Sequence, residues 1–165
     1  MILAVVGDLP SVAADAVVRP ANTRLEPLTP ASRRIDDAAG PKFIEQCRLR
    51  HELPPGAAVV TGAGNLMAEF VVHTVLGAAA EDVTTDTVRR STEAALWQCT
   101  QWQIATLACA VPAAGNLAAP AALAALLGAA RTHMRNADHP ATLLIVSADD
   151  AESAMARAQV GEEPS

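Results

Sequence analysis

Six short apolar runs constrain the fold of this chain more than any other feature: Met1–Val6, Asp15–Arg19, Ala57–Gly62, Glu69–Leu76, Ile104–Val111 and Ala141–Ala148. Most are continuous rather than alternating, which is how strands read when both faces of a sheet are covered, and such strands are usually parallel. Helical stripes lie between them. Val88, Thr92, Ala95, Cys99 and Trp102 recur at three-and-four spacing, as do Leu123, Leu126, Leu127, Ala130 and Met134. Strands alternating with helices predict an α/β fold, a three-layer α/β/α sandwich around a mostly parallel mixed sheet of about six strands, with ligands at the carboxyl ends of those strands.

The boundaries agree with this reading. Thr29 before Pro30 is an N-cap followed by a first helical residue, Gly40-Pro41 ends one helix and starts the next, and Pro120 opens an alanine-rich helix. A last helix is expected from near Ser147 and Ala148. The segment Val160–Ser165 is expected to fray, giving a single domain over residues 1–159 and a disordered tail over 160–165.

Composition excludes several functions. A chain of 165 residues that is 51% hydrophobic can bury a sizeable core. Its net charge of −6 and scattered basic residues exclude a duplex nucleic-acid surface. Aromatics at 2%, with no tyrosine, remove the stacking platforms of single-strand binders. No apolar run approaches the roughly 20 residues of a membrane span. The opening MILAVVGDLP lacks the flank and length of a signal peptide, so a cytoplasmic location with no membrane partner is expected.

Cys47, Cys99 and Cys109 match no zinc or redox spacing and read as free core thiols. His133 and His139 are too far apart for a helical metal pair, so neither a metal nor a cofactor is expected. His73 lies inside an apolar strand with no Ser or Cys partner at motif spacing and reads as a satisfied core histidine. Arg33-Arg34 beside Asp36-Asp37 reads as a solvated helix face, Trp102 as core and Trp97 as a partner contact. Low charge density and alanine richness suit self-association, which puts a homo-oligomer among the expected partners.

Four strand ends carry punctuated loops: GDLP, RPANTRLEPLTP, TGAGNL and PAAGNLAAP. Glycine in such loops lets backbone N–H groups approach an anion, and a following helix N-terminus adds a favourable dipole. Their order carries a resemblance. Gly7-Asp8-Leu9, then Ala14-Asp15-Ala16-Val17-Val18-Arg19-Pro20-Ala21-Asn22, then Asp37-Ala38-Ala39-Gly40-Pro41 follow one another, and farther on come Pro55-Gly56, Phe70-Val71-Val72-His73-Thr74-Val75 and Cys109-Ala110-Val111-Pro112-Ala113. Together they resemble the macro domain, the ADP-ribose-binding fold, from Leu3 to about Met155.

That resemblance implies a site. Asp8 would accept a hydrogen bond from the adenine amino group with the Leu9 backbone close by, Ala21 and Asn22 would face the distal ribose, and Ala114, Gly115 and Asn116 would offer phosphate donors. Each has a second reading. Asp8 also reads as a turn or N-cap residue, Asn22 as a turn asparagine bonding its own loop, and Gly115-Asn116 as loop geometry.

Departures fall on the chemistry. Arg19 stands where the family keeps an asparagine, and Pro27-Leu28-Thr29-Pro30 replaces a glycine run, although prolines have no N–H to donate. Ser32 occupies the place of the acid that positions water in hydrolytic members, and the loop at Gly115 is two residues shorter. Arg19 reads either as a fork for phosphate or carboxylate in the cleft, or as a partner of Asp36 or Asp37 that fills the groove itself.

Three functions follow. The chain binds ADP-ribose or a related nucleotide, weakly or with altered specificity. Alternatively it hydrolyses ADP-ribosyl groups or deacetylates O-acetyl-ADP-ribose, which the loss of the acid and the glycine run opposes. In the third reading it is a non-binding pseudo-module for protein interaction or oligomerisation.

Overall fold

The computed structural model of the chain describes residues 1–161. Its strands are β1 (Ile2–Val6), β2 (Ala16–Asn22), β3 (Ala58–Gly62), β4 (Phe70–Gly77), β5 (Thr106–Cys109) and β6 (Thr142–Ser147). The helices are α1 (Pro30–Ala39), α2 (Pro41–Arg48), α3 (Thr85–Trp102), α4 (Ala119–Asn136) and α5 (Asp150–Gly161). The strands form one sheet in the order β1-β6-β5-β2-β4-β3, parallel throughout except for β3, which runs antiparallel to β4.

Alternating side chains divide the core into two layers. Val17, Ala21, Val71, Val75 and Val146 face α1 and α2, where they meet Ile35, Ala39 and Phe43. Ala16, Val18, Val72 and Leu76 face the other way, onto Val88, Leu96, Leu123 and Leu127 of α3 and α4 and Ala156 of α5. This is the expected three-layer sandwich. All three cysteines are free and buried.

The cap at the start of α1 forms as read from Thr29-Pro30. The Thr29 hydroxyl accepts a hydrogen bond from the Ser32 amide at 3.1 Å, which fixes where the helix points relative to the strand ends.

Several boundaries differ from expectation. Strand β2 continues through Pro20 to Asn22, although proline is normally excluded from central strands. β5 pairs with β2 only at Ala16 and Val17 and ends at Cys109, short of the expected Val111. Beyond that point the β2–α1 loop, not β5, lies along this side of β2, with Pro27 opposite Ala21. The Pro20 carbonyl is free to accept from the Leu28 amide at 3.2 Å, and the missing N–H breaks no ladder.

Helix α5 starts at Asp150 rather than near Ser147, because Ser147 completes β6, and it runs on through Val160 to Gly161. The remainder of the expected tail, 162–165, lies outside the described residues. Trp102 is 53% exposed instead of core; it sits in the last turn of α3 with its ring 5.4 Å from that of Phe70. Trp97 is 59% exposed. Among the described residues no helix is long and apolar enough to cross a membrane.

Candidate functional site

The carboxyl ends of β1, β5 and β6 surround an open cleft of about 350 Å³. Gly7 and Leu9 line it after β1, Ala110, Val111 and Ala113 after β5, and Val146, Ala148 and Asp149 around the end of β6. The first turn of α1 closes a third side with Thr29, Pro30 and Ala31, and Arg34 and Glu152 complete the wall. Most of the lining is apolar or small. The charges sit at the rim: the Arg34 guanidinium lies 3.5 Å from Asp8, and Asp149 caps α5 by accepting from the Glu152 amide at 2.7 Å. Burial and Asp149 push the Glu152 carboxyl up, with Arg34 pulling the other way.

Behind α1 lies a second hollow of about 360 Å³, bounded by the β2–α1 loop, α1 and α2. Its floor is Arg19. The register of β2 on β4 sets Arg19 opposite His73, on the face that meets α1 and α2. Arg19 is 1% exposed and bonds Asp36 side-on, Nε to Oδ1 at 2.6 Å and Nη2 to Oδ2 at 2.9 Å. Its Nη1 donates to the Leu25 carbonyl at 2.9 Å and lies 3.3 Å from His73 Nδ1. The guanidinium also lies 5.7 Å from the centre of the Phe43 ring, within cation–π range, and that ring stacks on His73.

An arginine has no acceptor, so its contact assigns His73 Nδ1 as the lone-pair nitrogen and puts the proton on Nε2, which faces Thr61 Oγ1 at 2.8 Å. Burial first, then the neighbouring Arg19 charge, holds the imidazole well below its usual range. His73 is therefore a neutral, satisfied core histidine, as its apolar strand implied.

The β2–α1 loop consumes the groups that the family resemblance would give to a ribose. Asn22 Oδ1 accepts from the Arg24 and Glu26 amides, each at 2.9 Å, and Nδ2 donates to Glu26 Oε1 at 3.0 Å. This is the turn asparagine of the second reading. Leu25, with φ +59 and almost wholly buried, is held in the left-handed region by Arg19 on its carbonyl and by its own amide on the Asn22 carbonyl. The Ser32 hydroxyl donates to the Pro20 carbonyl and contacts Thr29 Oγ1. Asp36, expected on a solvated face with Arg33, Arg34 and Asp37, is instead buried against Arg19.

The structure thus separates the expected site residues. Leu9 lines the cleft and Asp8 stands at its rim. Arg19 lies in the hollow behind α1, and Ala21 is buried in the sheet. Ala114, Gly115 and Asn116 form a tight turn closed by the Leu117 amide on the Ala114 carbonyl. Gly115, at φ +56, packs so closely on the Ala80 carbonyl that a Cβ would lie 2.2 Å from it. Of the cleft lining only Leu9 was anticipated, and its charged members Arg34, Asp149 and Glu152 were not. The Asp149-x-x-Glu152 spacing is a capping signature that marked the start of α5, and nothing local marked Arg34.

This is a mixed-sheet α/β/α sandwich with a cleft at the carboxyl ends of its strands, where open α/β sheets take ligands. The family model for the macro domain matches residues 18–127, and the chain belongs to that family. Over 73 residues it is 45% identical to an O-acetyl-ADP-ribose deacetylase of Citrobacter rodentium, a match covering 42% of this chain and 41% of that protein. A macro domain-containing protein of Chlorobaculum tepidum is 40% identical over 75 residues, 46% of this chain and 44% of the relative. The matches thus span less than half the length of these curated relatives. Among solved structures, the Trypanosoma brucei macrodomain in complex with ADP-ribose superposes with a TM-score of 0.86 at 20% identity, over 97% of this chain and 69% of that one. The Oceanobacillus iheyensis macrodomain with ADP gives 0.82 at 19% identity, over 96% of this chain and 88% of that one.

Two outcomes test this geometry. Asp36→Ala leaves a buried guanidinium without its carboxylate and is expected to cost about 3–5 kcal/mol in urea unfolding. His73 is neutral when folded but titrates near its ordinary value of about 6.5 when unfolded, so its share of stability is complete above that pH and lost below it. Stability relative to His73→Gln is expected to fall by up to about 1.4 kcal/mol per pH unit below about 6.5. Parallel pH profiles for the two proteins would contradict the assignment.

Proposed function

We propose that this chain is a macro domain that binds ADP-ribose or a related nucleotide, weakly or with altered specificity, and has little or no hydrolase activity on ADP-ribose derivatives. The open cleft carries the proposal: it stands where open α/β sheets take ligands, and its volume falls at the lower end of the roughly 300–1,000 Å³ usual for small-molecule sites. Leu9 and Val146 supply apolar walls for a base, with the Asp8 carboxylate at the rim to accept from an exocyclic amine. Solved macrodomains of the same fold have been crystallised with ADP-ribose and with ADP.

Weak binding and lost turnover share one cause. Hydrolysis needs a group that positions or deprotonates water, within hydrogen-bond reach of the reacting atom. Ser32, in the place of that group, gives its hydroxyl proton to the Pro20 carbonyl and lies wholly buried, while both ends of the Asn22 amide are bonded within the β2–α1 loop. The 45% identity to a named O-acetyl-ADP-ribose deacetylase favours a second reading, in which this chain deacetylates the same compound.

Calorimetric titration with ADP-ribose separates the outcomes when paired with a turnover assay on O-acetyl-ADP-ribose. Saturable heat with a dissociation constant above about 10 μM, and no acetate release over background, is expected. Absence of heat and of thermal stabilisation at millimolar ligand would remove the nucleotide reading. Acetate release that Asn22→Ala abolishes would establish the deacetylase instead.

A further inference from the structure

Among the described residues that line the cleft Arg34 is the one arginine or lysine, and the two loops that would supply backbone donors offer few. At the N-terminus of α1, Pro30 has no N–H, the Ser32 amide is taken by Thr29 Oγ1 and the Arg33 amide by the Thr29 carbonyl, which leaves the Ala31 amide. The turn at Gly115 is closed on itself and pressed against Ala80, away from the cleft lining. Arg19 and Arg33 both line the hollow behind α1 and do not reach the cleft. One turn beyond Ala31, on the same face of the helix, stands Arg34.

We propose that Arg34 is the anion anchor of this cleft, holding the diphosphate of a nucleoside-diphosphate ligand with a side-chain fork in place of backbone amides, in competition with the carboxylates of Asp8 and Glu152. The inference rests on the nucleotide reading above. The Arg34 side chain is 44% exposed, and its contact with Asp8 is a single long one at 3.5 Å between exposed groups, an interaction of little strength. A diphosphate offers several charged oxygens in the geometry that a guanidinium binds bidentately, and it displaces such a partner.

The acids acting on Arg34 come from two elements, Asp8 after β1 and Glu152 in the first turn of α5, while Asp149 lines the same cleft and caps α5. The carboxylates of Asp8 and Glu152 beside the guanidinium disfavour an anion. Removing one of them should therefore tighten binding, and removing the guanidinium should loosen it.

The test is titration of ADP-ribose into the wild-type chain, Arg34→Gln and Glu152→Gln at a low and a moderate sodium chloride concentration. Loss of charged hydrogen bonds predicts at least about a tenfold weaker affinity for Arg34→Gln. It also predicts a flatter dependence of log affinity on log salt, which a purely structural role would not produce. Glu152→Gln is expected to bind several-fold more tightly than wild type. Binding by Arg34→Gln that matches wild type, or is weaker with an unchanged salt slope, would overturn the inference while leaving the nucleotide reading intact. An unchanged affinity for Glu152→Gln would overturn the competition. Absence of binding to the wild-type chain would remove the nucleotide reading, and this inference with it.

Discussion

The Arg19 guanidinium, 1% exposed near the end of a central strand, must be neutralised inside the fold, and the surroundings of β2 are arranged to do so. A buried charge without a partner costs several kcal/mol, roughly the size of a domain's net stability. Asp36 supplies the countercharge from α1, the Leu25 carbonyl takes another N–H, and His73 presents a lone pair because burial and that charge keep a second proton off its ring. The position of α1 over the sheet, the conformation of the β2–α1 loop and the protonation state of a core histidine are all tied to that one side chain.

The same side chain organises the β2–α1 loop. Once Arg19 pins the Leu25 carbonyl, the loop is drawn inward over it, and Asn22 and Ser32 close the loop instead of facing a ligand. The cleft at β1, β5 and β6 is outside this region and stays open. The β2–α1 loop is thus bonded within itself, and the cleft beyond it is a separate hollow.

Much of the architecture was legible in the chain. Continuous apolar runs identified all six strands because the sheet is covered on both faces, and Thr29-Pro30, Gly40-Pro41 and Pro120 marked helix starts because their chemistry is local. Pro20 within a central strand was not legible, since its tolerance depends on where β5 ends. Trp102 sits on the helical stripe of α3 but lies at its last turn, where the sheet no longer covers it. At the site, the competition between Arg19 as ligand fork and Arg19 as partner of Asp36 was visible in the residue types, but only the pairing of β2 on β4 and the phase of α1 decide it. Arg34 and Glu152 are far apart in sequence, and only the closing of α1 and α5 on one cleft brings them together.

The central claim is that ligand occupies the cleft between α1 and α5 while the rebuilt β2–α1 loop takes no part. Mapping backbone amide NMR shifts during an ADP-ribose titration tests it most directly. The predicted result is a cluster of shifts at Leu9, Ala31, Arg34, Ala110, Val146 and Glu152, with Asn22, Thr23, Arg24 and Gly115 unmoved. Largest shifts at Asn22 to Arg24 and at Gly115 would contradict it and return the binding site to the loop that Arg19 holds shut.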